Sequence, residues 1–332
     1  MRSHGNISVF VPHIGCPNRC SFCNQNTITG QVKVPSGEDV KAAVLRAANH
    51  KNYCPENTEI AFFGGSFTKI KKDLMLELLE AGYEFVKNKT VSGIRISTRP
   101  DGIDTEILGT LKSFGVTAIE LGCQSMDNEV LKKNFRGHSE DDVYCASKLI
   151  KAKGFSLGLQ MMTGLYGDTE EKAMETLEKI IKISPDTLRI YPTLVLKNTY
   201  LEKLLNEGKY SPQNVEEAAL LVSKMLIRLK NTGIKVIRVG LHDVDKDGFI
   251  KGPWHPAFGE ICVNYVYRQM LSEIIEKQKI PKGDIVVYVP KGDVSKMAGH
   301  KKSNIEFFGN IGYNCKIVEE NIKEISAKQK TT

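Results

Sequence analysis

Three cysteines lie within eight residues of one another in the segment HIGCPNRCSFCNQ (13–25), near the beginning of the sequence. Three residues separate Cys16 from Cys20, and two separate Cys20 from Cys23. An odd number of thiols cannot pair completely into disulfides, and closely spaced thiolates are common ligands of soft metal centres. The spacing therefore predicts a metal site in this loop.

Two kinds of metal centre fit three thiolates. A structural zinc ion normally takes four Cys or His ligands from paired segments; His13 is a candidate fourth ligand, but no second pair follows it. Cysteine thiolates also hold iron–sulfur clusters, and a four-iron cluster on three thiolates keeps one iron open for a ligand from outside the protein. Three buried structural thiols are the remaining alternative.

The composition limits the classes of protein to which this chain can belong. With 41% hydrophobic and 26% charged residues among 332, the chain can build a substantial core and is not disordered by composition. Eight cysteines are too few for a disulfide scaffold of this length. We read no membrane span and no secretory signal, so we expect a cytoplasmic protein with no membrane partner. The net charge of +7 permits an anionic partner without requiring one.

Short β-branched runs alternate with longer amphipathic segments along the chain. Strands are predicted at 7–12, 59–65, 93–99, 118–124, 155–164, 187–195 and 234–242, and helices between them at 73–88, 104–115 and 170–183. This alternation predicts parallel strands joined by helices, in six βα units with a seventh strand. The composition changes near residue 280, after a helical run. We therefore expect an α/β barrel with an extension over residues 1–279 and a small basic α+β appendage over residues 280–332.

Polar segments follow the predicted strands directly, among them GGSF, STRPDG, GCQS, QMMTG and YPT. Active sites of parallel α/β folds gather at the carboxyl ends of the strands. The cysteine loop follows the first predicted strand, so we expect it at the same end of the barrel as these polar segments.

The CxxxCxxC triplet after a first strand, with Phe22 directly before the last cysteine, resembles the radical S-adenosylmethionine (SAM) superfamily. The resemblance implies a partial (β/α)6 barrel in which Cys16, Cys20 and Cys23 hold a [4Fe–4S] cluster, with SAM on the open iron and Phe22 beside the cofactors. One electron, from a reductant such as ferredoxin or flavodoxin, would cleave SAM to methionine and a 5′-deoxyadenosyl radical. That radical would take a hydrogen atom from the substrate.

The resemblance extends over roughly residues 5–265. Gly64 and Gly65 match a glycine-rich turn whose backbone approaches the SAM amino group, which a side chain would obstruct. Ser66 stands where many relatives carry Glu. The segments STRPD (97–101), IELGCQSMDNEVLKKNFRGH (119–138) and RIYPTLVLKNT (189–199) are most similar to the catalytic subunit of Elongator and its shorter bacterial relatives.

Oxygen-independent coproporphyrinogen oxidases are more distantly similar, and their likeness implies four further residues around SAM. These are Ser97, Gln124, Arg136 and Gln160. Arg136 would donate hydrogen bonds from its planar guanidinium group to the methionine carboxylate. Gln124 and Gln160 would bind the ribose hydroxyls.

The likeness to Elongator implies an RNA base, a uridine of tRNA, as the substrate. Elongator subunits have a wider gap between their first two cysteines and continue into an acetyltransferase domain that this sequence does not contain, so acetyl-CoA-dependent carboxymethyl transfer is not expected. A tetrapyrrole-like or other small molecule is the alternative substrate. A non-catalytic iron–sulfur sensor or RNA-binding protein is the alternative class, and the sequence does not fix the oligomeric state.

The segment RVGLHDVDKDGFIKGPWHPAFGE (238–260) follows the seventh predicted strand. It carries His242, Trp254 and His255, which are candidate substrate contacts in a lid over the open end of the barrel. A polar loop packed on its tryptophan is the alternative interpretation.

The segment SKMAGHKKSNIEFF (295–308) is similar to the GxxG loop with which KH domains hold nucleotides, but Lys302 replaces the second glycine. Lys296, Lys301 and Lys302 are therefore candidate contacts to RNA phosphates. A solvated lysine-rich face is the alternative.

Overall fold

The computed structural model describes residues 5–16, 19–24, 33–241 and 247–330, apart from the side chain of His13. The strands are β1 (Gly5–Val11), β2 (Thr58–Gly64), β3 (Gly93–Thr98), β4 (Val116–Gln124), β5 (Ser156–Thr163), β6 (Thr187–Pro192), β7 (Val195–Leu196), β8 (Lys235–Val239), β9 (Phe249–Lys251), β10 (Gly283–Pro290), β11 (Tyr313–Glu320) and β12 (Ser326–Gln329). The helices are α1 (Gly37–Ala48), α2 (Lys72–Lys87), α3 (Thr105–Ser113), α4 (Asn128–Lys133), α5 (Glu140–Ala152), α6 (Glu170–Ile183), α7 (Tyr200–Asn206), α8 (Val215–Leu229), α9 (Phe258–Lys277), α10 (Val294–Ala298) and α11 (Ser303–Asn310).

The chain forms two compact units. The first comprises Met1–Pro212 and Asn231–Gly252, and the second comprises Gln213–Lys230 and Pro253–Thr332. The second unit thus includes helices α8 and α9 besides residues 280–332. The predicted domain boundary at residue 280 stays a prediction.

A seven-stranded parallel sheet forms the centre of the first unit, in the order β1-β2-β3-β4-β5-β6-β8. Strands β1 and β8 are its edges within the described part of the chain, so the sheet is an open half-barrel. The expected partial (β/α)6 barrel with a small C-terminal α+β unit is confirmed. The predicted sixth strand (187–195) is divided: β6 ends at Pro192, and β7 pairs antiparallel with β9 instead.

The two faces of this sheet differ because side chains alternate along each strand. On one face, apolar side chains such as Ile60, Ile94 and Leu121 are fully buried, and helix α2 packs on this face so closely that a Cβ at Gly82 would lie 3.0 Å from Ile94 Cδ1. The other face lines the inside of the half-barrel and carries polar residues in place of the apolar ones. This polarity is unusual for a parallel sheet, whose strands normally bury apolar side chains on both faces.

Four charged side chains form a continuous network on the inner face. Arg95 on β3 donates from Nε to Glu59 Oε2 on β2 at 2.9 Å, and its Nη1 lies 3.4 Å from Glu120 Oε1 on β4. Arg189 on β6 binds the same Glu120 with two hydrogen bonds, Nε to Oε2 at 2.7 Å and Nη2 to Oε1 at 2.9 Å. The Glu120 side chain is only 1% exposed, and burying such a side chain is costly without partners such as these two guanidinium groups.

Gly158 on β5 gives this network its space. A Cβ at Gly158 would lie 2.8 Å from Glu120 Cγ, so the carboxylate crosses β5 only because that strand has no side chain there. The first unit thus keeps a polar interior in the amino-terminal and middle parts of its strands, and the predicted site residues Ser97 and Gln124 follow later along β3 and β4.

The second unit has its own small sheet and core. Strand β10 lies between β11, which is parallel to it, and β12, which is antiparallel. Leu271 of α9, Val287 of β10 and Phe308 of α11 are buried together in its core. Of the helices that the structure describes, none is both long and apolar enough to cross a membrane.

We predict that Glu120→Gln lowers the free energy of unfolding by about 3 to 5 kcal/mol, because it leaves the guanidinium groups of Arg95 and Arg189 buried without their shared counter-charge. Urea denaturation measures the effect. Glu106→Gln is the matched control, since Glu106 is exposed and pairs with the exposed Lys72 at 3.9 Å, so the substitution should change the free energy by less than about 1 kcal/mol. Equal effects of the two substitutions would contradict a structural role for the network.

Candidate functional site

The cysteine loop is fixed to the turn after β2. Cys16 follows a short 3-10 turn at the end of β1, and the Ser66 backbone N–H donates a hydrogen bond to its thiol. The loop and the turn approach so closely that a Cβ at Gly15 would lie 2.2 Å from the Ser66 carbonyl oxygen. Cys23 N–H donates to the Cys20 carbonyl at 3.1 Å, which closes the second half of the loop. The three thiols therefore lie at the carboxyl end of the sheet, as predicted.

Burial favours the neutral form of two of these thiols, Cys16 and Cys23, when no metal is bound. It raises the pKa of Cys16, and it raises that of Cys23 to about 12 with further contributions from the neighbouring Cys20 and Cys16. A bound metal centre reverses this preference, because a coordinating thiol is deprotonated outright.

The arrangement of the thiols bears on the kind of metal centre. Within the described part of the chain, no three His, Cys, Asp or Glu side chains converge on one position that suits a single ion. An iron–sulfur cluster takes its thiolates on separate irons, so its ligands need not converge in that way. The side chain of His13, the fourth ligand proposed for the zinc alternative, lies outside the described residues.

Arg136 joins the cysteine loop to the sheet. Its Nη1 donates to the Cys20 thiol at 3.0 Å, and its Nη2 donates to the Gly122 carbonyl on β4 at 2.6 Å. The residue is buried, and its Nε has no hydrogen-bond partner among the described residues. The guanidinium group was expected to bind the methionine carboxylate. Two of its nitrogens thus bind the thiol and the sheet, and Nε is the nitrogen without a partner among the described residues.

Two further predicted residues present buried polar atoms without partners. Ser97 Oγ on β3 and Gln124 Oε1 at the end of β4 are both buried and unpaired within the described part of the chain. Gln124 has a φ of +63° at an irregularity of the β4–β5 pairing. A Cβ at Gly122 would lie 2.9 Å from Gln124 Nε2 and 3.4 Å from Arg136 Nη2, so the two side chains meet over this glycine. Unpaired buried atoms near the carboxyl ends of β3 and β4, the end of the sheet where the cysteine loop lies, fit a polar ligand bound there.

The other predicted pocket residues already have partners in the protein. The Ser66 hydroxyl lies 2.8 Å from Thr98 Oγ1 and accepts from the Arg99 backbone N–H at 3.2 Å. Gln160 Nε2 donates to Glu120 at 2.9 Å, so its amide belongs to the inner-face network. Phe22 packs against an apolar cluster that includes Met162.

The glycine turn is required by the packing of β1 on β2. A Cβ at Gly64, whose φ is +112°, would lie 2.4 Å from the Val11 carbonyl oxygen, and one at Gly65 would lie 2.7 Å from that of Pro12. Gly65 N–H donates to the Val11 carbonyl at 2.7 Å. The absence of side chains at both positions is thus explained by this close approach, whether or not SAM also lies against the turn.

The distal candidates lie elsewhere. His242 is outside the described residues. Trp254 and His255 belong to the second unit, as do Lys296, Lys301 and Lys302. His255 Nδ1 accepts the Ala257 N–H at 3.0 Å just before helix α9, which is a structural role at the start of that helix. The lid remains a prediction.

The inner-face charges were not predicted as site residues. Each of Arg95, Glu120 and Arg189 stands alone between apolar residues inside a predicted strand. A single charge in an otherwise apolar strand is costly to bury without a partner. The pattern therefore indicated paired charges on one face, although not which strands would pair them.

Comparison with known proteins places the fold and the thiols in one family. The chain matches the radical SAM superfamily over residues 10–180 and the C-terminal domain of radical SAM proteins over residues 185–270. The chain belongs to the radical SAM superfamily, whose enzymes use a [4Fe–4S] cluster and SAM.

Curated relatives include proteins named for tRNA modification. The tRNA uridine(34) acetyltransferase of Methanocaldococcus infernus is 34% identical over 193 residues, which are 57% of this chain and 35% of that protein. That of Dehalococcoides mccartyi is 26% identical over 239 residues, 62% of this chain and 52% of the relative. Human Elongator complex protein 3 is 32% identical over 152 residues, 43% of this chain and 28% of that protein. This chain therefore spans about half or less of the length of these relatives.

The fold also matches solved structures. Elp3 of Methanocaldococcus infernus, solved with an N-terminal deletion, superposes with a TM-score of 0.66 at 20% identity, over 85% of this chain and 69% of that one. At this identity the match establishes the fold. The expected likeness to the Elongator catalytic subunit is confirmed.

His138 lies two residues beyond Arg136 and is buried. Its Nε2 lies 3.3 Å from the Cys123 carbonyl oxygen. Burial lowers the pKa of its imidazole to about 4, with the positive charges of Arg136 and Arg99 acting in the same direction. The ring is therefore neutral in the folded protein near pH 7, and it donates from Nε2 to that carbonyl.

We predict that this histidine makes the folded state sensitive to mild acid. Its pKa is lower in the folded than in the unfolded chain, so its contribution is present above about pH 6.5 and is lost as the pH falls towards 4. Between pH 7 and pH 5 the wild type should lose about 1 to 2 kcal/mol more unfolding free energy than His138→Gln, measured by urea denaturation of identically prepared proteins. The same pH dependence in both proteins would contradict this assignment.

Proposed function

We propose that the protein reductively cleaves SAM at a [4Fe–4S] cluster held by Cys16, Cys20 and Cys23, and that it acts on a base of RNA, in particular of tRNA. The observation that carries the first part is the set of unpaired buried atoms on Ser97, Gln124 and Arg136 at the end of the sheet where the cysteine loop lies, with Arg136 in contact with Cys20. When bound, the cluster and SAM supply one-electron cleavage of the sulfonium to methionine and a 5′-deoxyadenosyl group that takes a hydrogen atom from the substrate.

The chain's own residues have distinct roles in this proposal. Arg136 keeps a positive charge 3.0 Å from the Cys20 sulfur and so stabilises the thiolate that ligation requires. Ser97 Oγ and Gln124 Oε1 offer hydrogen bonds to the polar groups of SAM, since nothing in the described chain uses them. Gln160 acts through Glu120, which holds the inner wall of the pocket in place.

The RNA substrate rests on the relatives. The names of two of them include tRNA uridine(34), and human Elongator complex protein 3 matches 43% of this chain. Because the chain matches only part of each relative, the proposal takes from them an RNA base as substrate and nothing of acetyl transfer.

Product analysis under anaerobic, reducing conditions tests both parts. The wild type should form 5′-deoxyadenosine from SAM, and tRNA should raise the yield above the background without substrate. Alanine at all three of Cys16, Cys20 and Cys23 should abolish the product. Cys145→Ala is the matched control, because Cys145 is exposed on helix α5, and it should leave the yield unchanged.

Other outcomes decide between the alternatives. A yield raised by a tetrapyrrole or another small molecule, and not by tRNA, would replace the RNA assignment. Iron binding without any cleavage of SAM would indicate a non-catalytic iron–sulfur sensor instead of an enzyme.

The lysines of the second unit are the proposed contacts to RNA phosphates. Lys301 and Lys302 are exposed and follow Gly299 in a turn where both have positive φ, +52° and +65°. Lys296 lies 2.5 Å from Asp293 Oδ1, so part of its charge is already offset. Lys301 and Lys302 should therefore contribute more to RNA binding than Lys296.

We predict that replacing Lys296, Lys301 and Lys302 with Gln weakens tRNA binding and reduces the slope of log Kd against log salt by about one unit for each phosphate that is no longer neutralised. Cleavage of SAM without substrate should be unchanged. The control triple variant replaces Lys277, Lys279 and Lys282, exposed lysines of the same unit, with Gln. If both triple variants weaken binding equally, net charge rather than this segment explains the effect.

A further inference from the structure

An exposed aromatic pair lies on the surface of the first unit. The rings of Phe135 and Tyr200 are 4.9 Å apart and inclined by 61°, and these residues are 44% and 38% exposed. The backbone of Phe135 is left-handed, with a φ of +56°, a conformation that a bulky residue seldom adopts. A large aromatic side chain held in solvent at such a position suggests contact with a partner.

Backbone hydrogen bonds connect the segments that carry the two rings to Ser21, the neighbour of the proposed cluster ligand Cys20. Ser21, the residue after Cys20, donates from its N–H to the Asn134 carbonyl at 3.2 Å, and its carbonyl accepts the Leu201 N–H at 2.9 Å. Asn134 directly precedes Phe135, and Leu201 directly follows Tyr200. The neighbours of both aromatic residues are thus hydrogen-bonded to the backbone of Ser21, the residue next to Cys20.

The surroundings of this pair are positively charged. An open cleft of about 800 Å³ is lined by Arg19, Lys132, Phe135 and His138, among others. Arg19 stands between the cysteines at 16 and 20, and it is exposed, as is Lys132. The acidic residue that lines the cleft, Asp142, accepts hydrogen bonds from the backbone and hydroxyl of Ser139 in a helix cap. Two basic side chains, Arg19 and Lys132, thus line the cleft against one carboxylate, and the cleft carries a net positive charge.

We propose that Arg19, Lys132, Phe135 and Tyr200 form the docking surface for an acidic electron-carrier protein with a reduced flavin or iron–sulfur centre. This inference rests on the proposed function. The carrier loses one electron and the cluster on Cys16, Cys20 and Cys23 gains it. Reduction requires the carrier to approach the cluster, and this surface lies one residue from Cys20.

The surface suits a transient protein partner better than RNA. Electron-transfer complexes are typically small, and opposite charges steer their association. Aromatic residues and arginine are the groups that most often contribute binding energy at protein interfaces. Two rings inclined by 61° do not offer parallel faces for stacking successive bases, as surfaces that bind single-stranded RNA do.

The test uses the cluster-loaded protein and flavodoxin as the probe. The variant carries Phe135→Ala, Tyr200→Ala and Lys132→Glu; Lys132→Glu alone is a milder second variant. The dissociation constant for flavodoxin, from the fluorescence anisotropy of its flavin, should rise at least tenfold in the triple variant and severalfold in the single one. SAM cleavage driven by reduced flavodoxin should fall accordingly, while cleavage driven by dithionite and the iron content should match the wild type.

A matched control replaces Leu45 with Ala and Lys51 with Glu, an exposed apolar residue of helix α1 and an exposed lysine just after it. It should bind flavodoxin as the wild type does. Wild-type flavodoxin affinity in the triple variant would overturn the proposal, and so would a loss of tRNA affinity with flavodoxin affinity retained. Absence of dithionite-driven cleavage in the wild type would refute the proposed function instead, and the binding measurement would still decide the docking surface.

Discussion

The position of the cysteine loop depends on one buried guanidinium group. Arg136 contacts the Cys20 thiol and the Gly122 carbonyl at once, and its own carbonyl accepts a hydrogen bond from Arg99. A buried positive charge is costly unless several acceptors surround it, so each of these contacts also keeps the others in place. Through them the end of β4, the turn after β3 and the cysteine loop are held in one arrangement around Gly122.

The polar inner face of the half-barrel depends on the same requirement, that a buried charge is surrounded by hydrogen-bonding partners. Glu120 is acceptable in the interior because Arg95 and Arg189 both bind it, and Gln160 completes its hydrogen bonding. The apolar outer face provides the folding energy through burial against the helices. The sheet can therefore be stable and still present unpaired polar atoms, such as Ser97 Oγ, at its carboxyl end.

Local patterns in the sequence predicted the half-barrel, the seven parallel strands and the place of the cysteine loop, because alternation and spacing are properties of neighbouring residues. The pairing of Arg189 with Glu120 joins residues 69 positions apart and was beyond such patterns. The same holds for the hydrogen bond between Gln160 and Glu120, and the expected contact of Gln160 with ribose stays a prediction. Phe135 gave no signal either, since its exposure results from a left-handed backbone that only the folded chain reveals.

The central claim is that Cys16, Cys20 and Cys23 hold a four-iron cluster with one iron open to SAM. Mössbauer spectroscopy of the anaerobically reconstituted protein, with EPR of its reduced form, tests this most directly. We expect the spectra of a [4Fe–4S] cluster, with one iron site changed by the addition of SAM and a shifted EPR signal. A protein that binds only zinc, or a cluster whose spectra do not respond to SAM, would contradict the account.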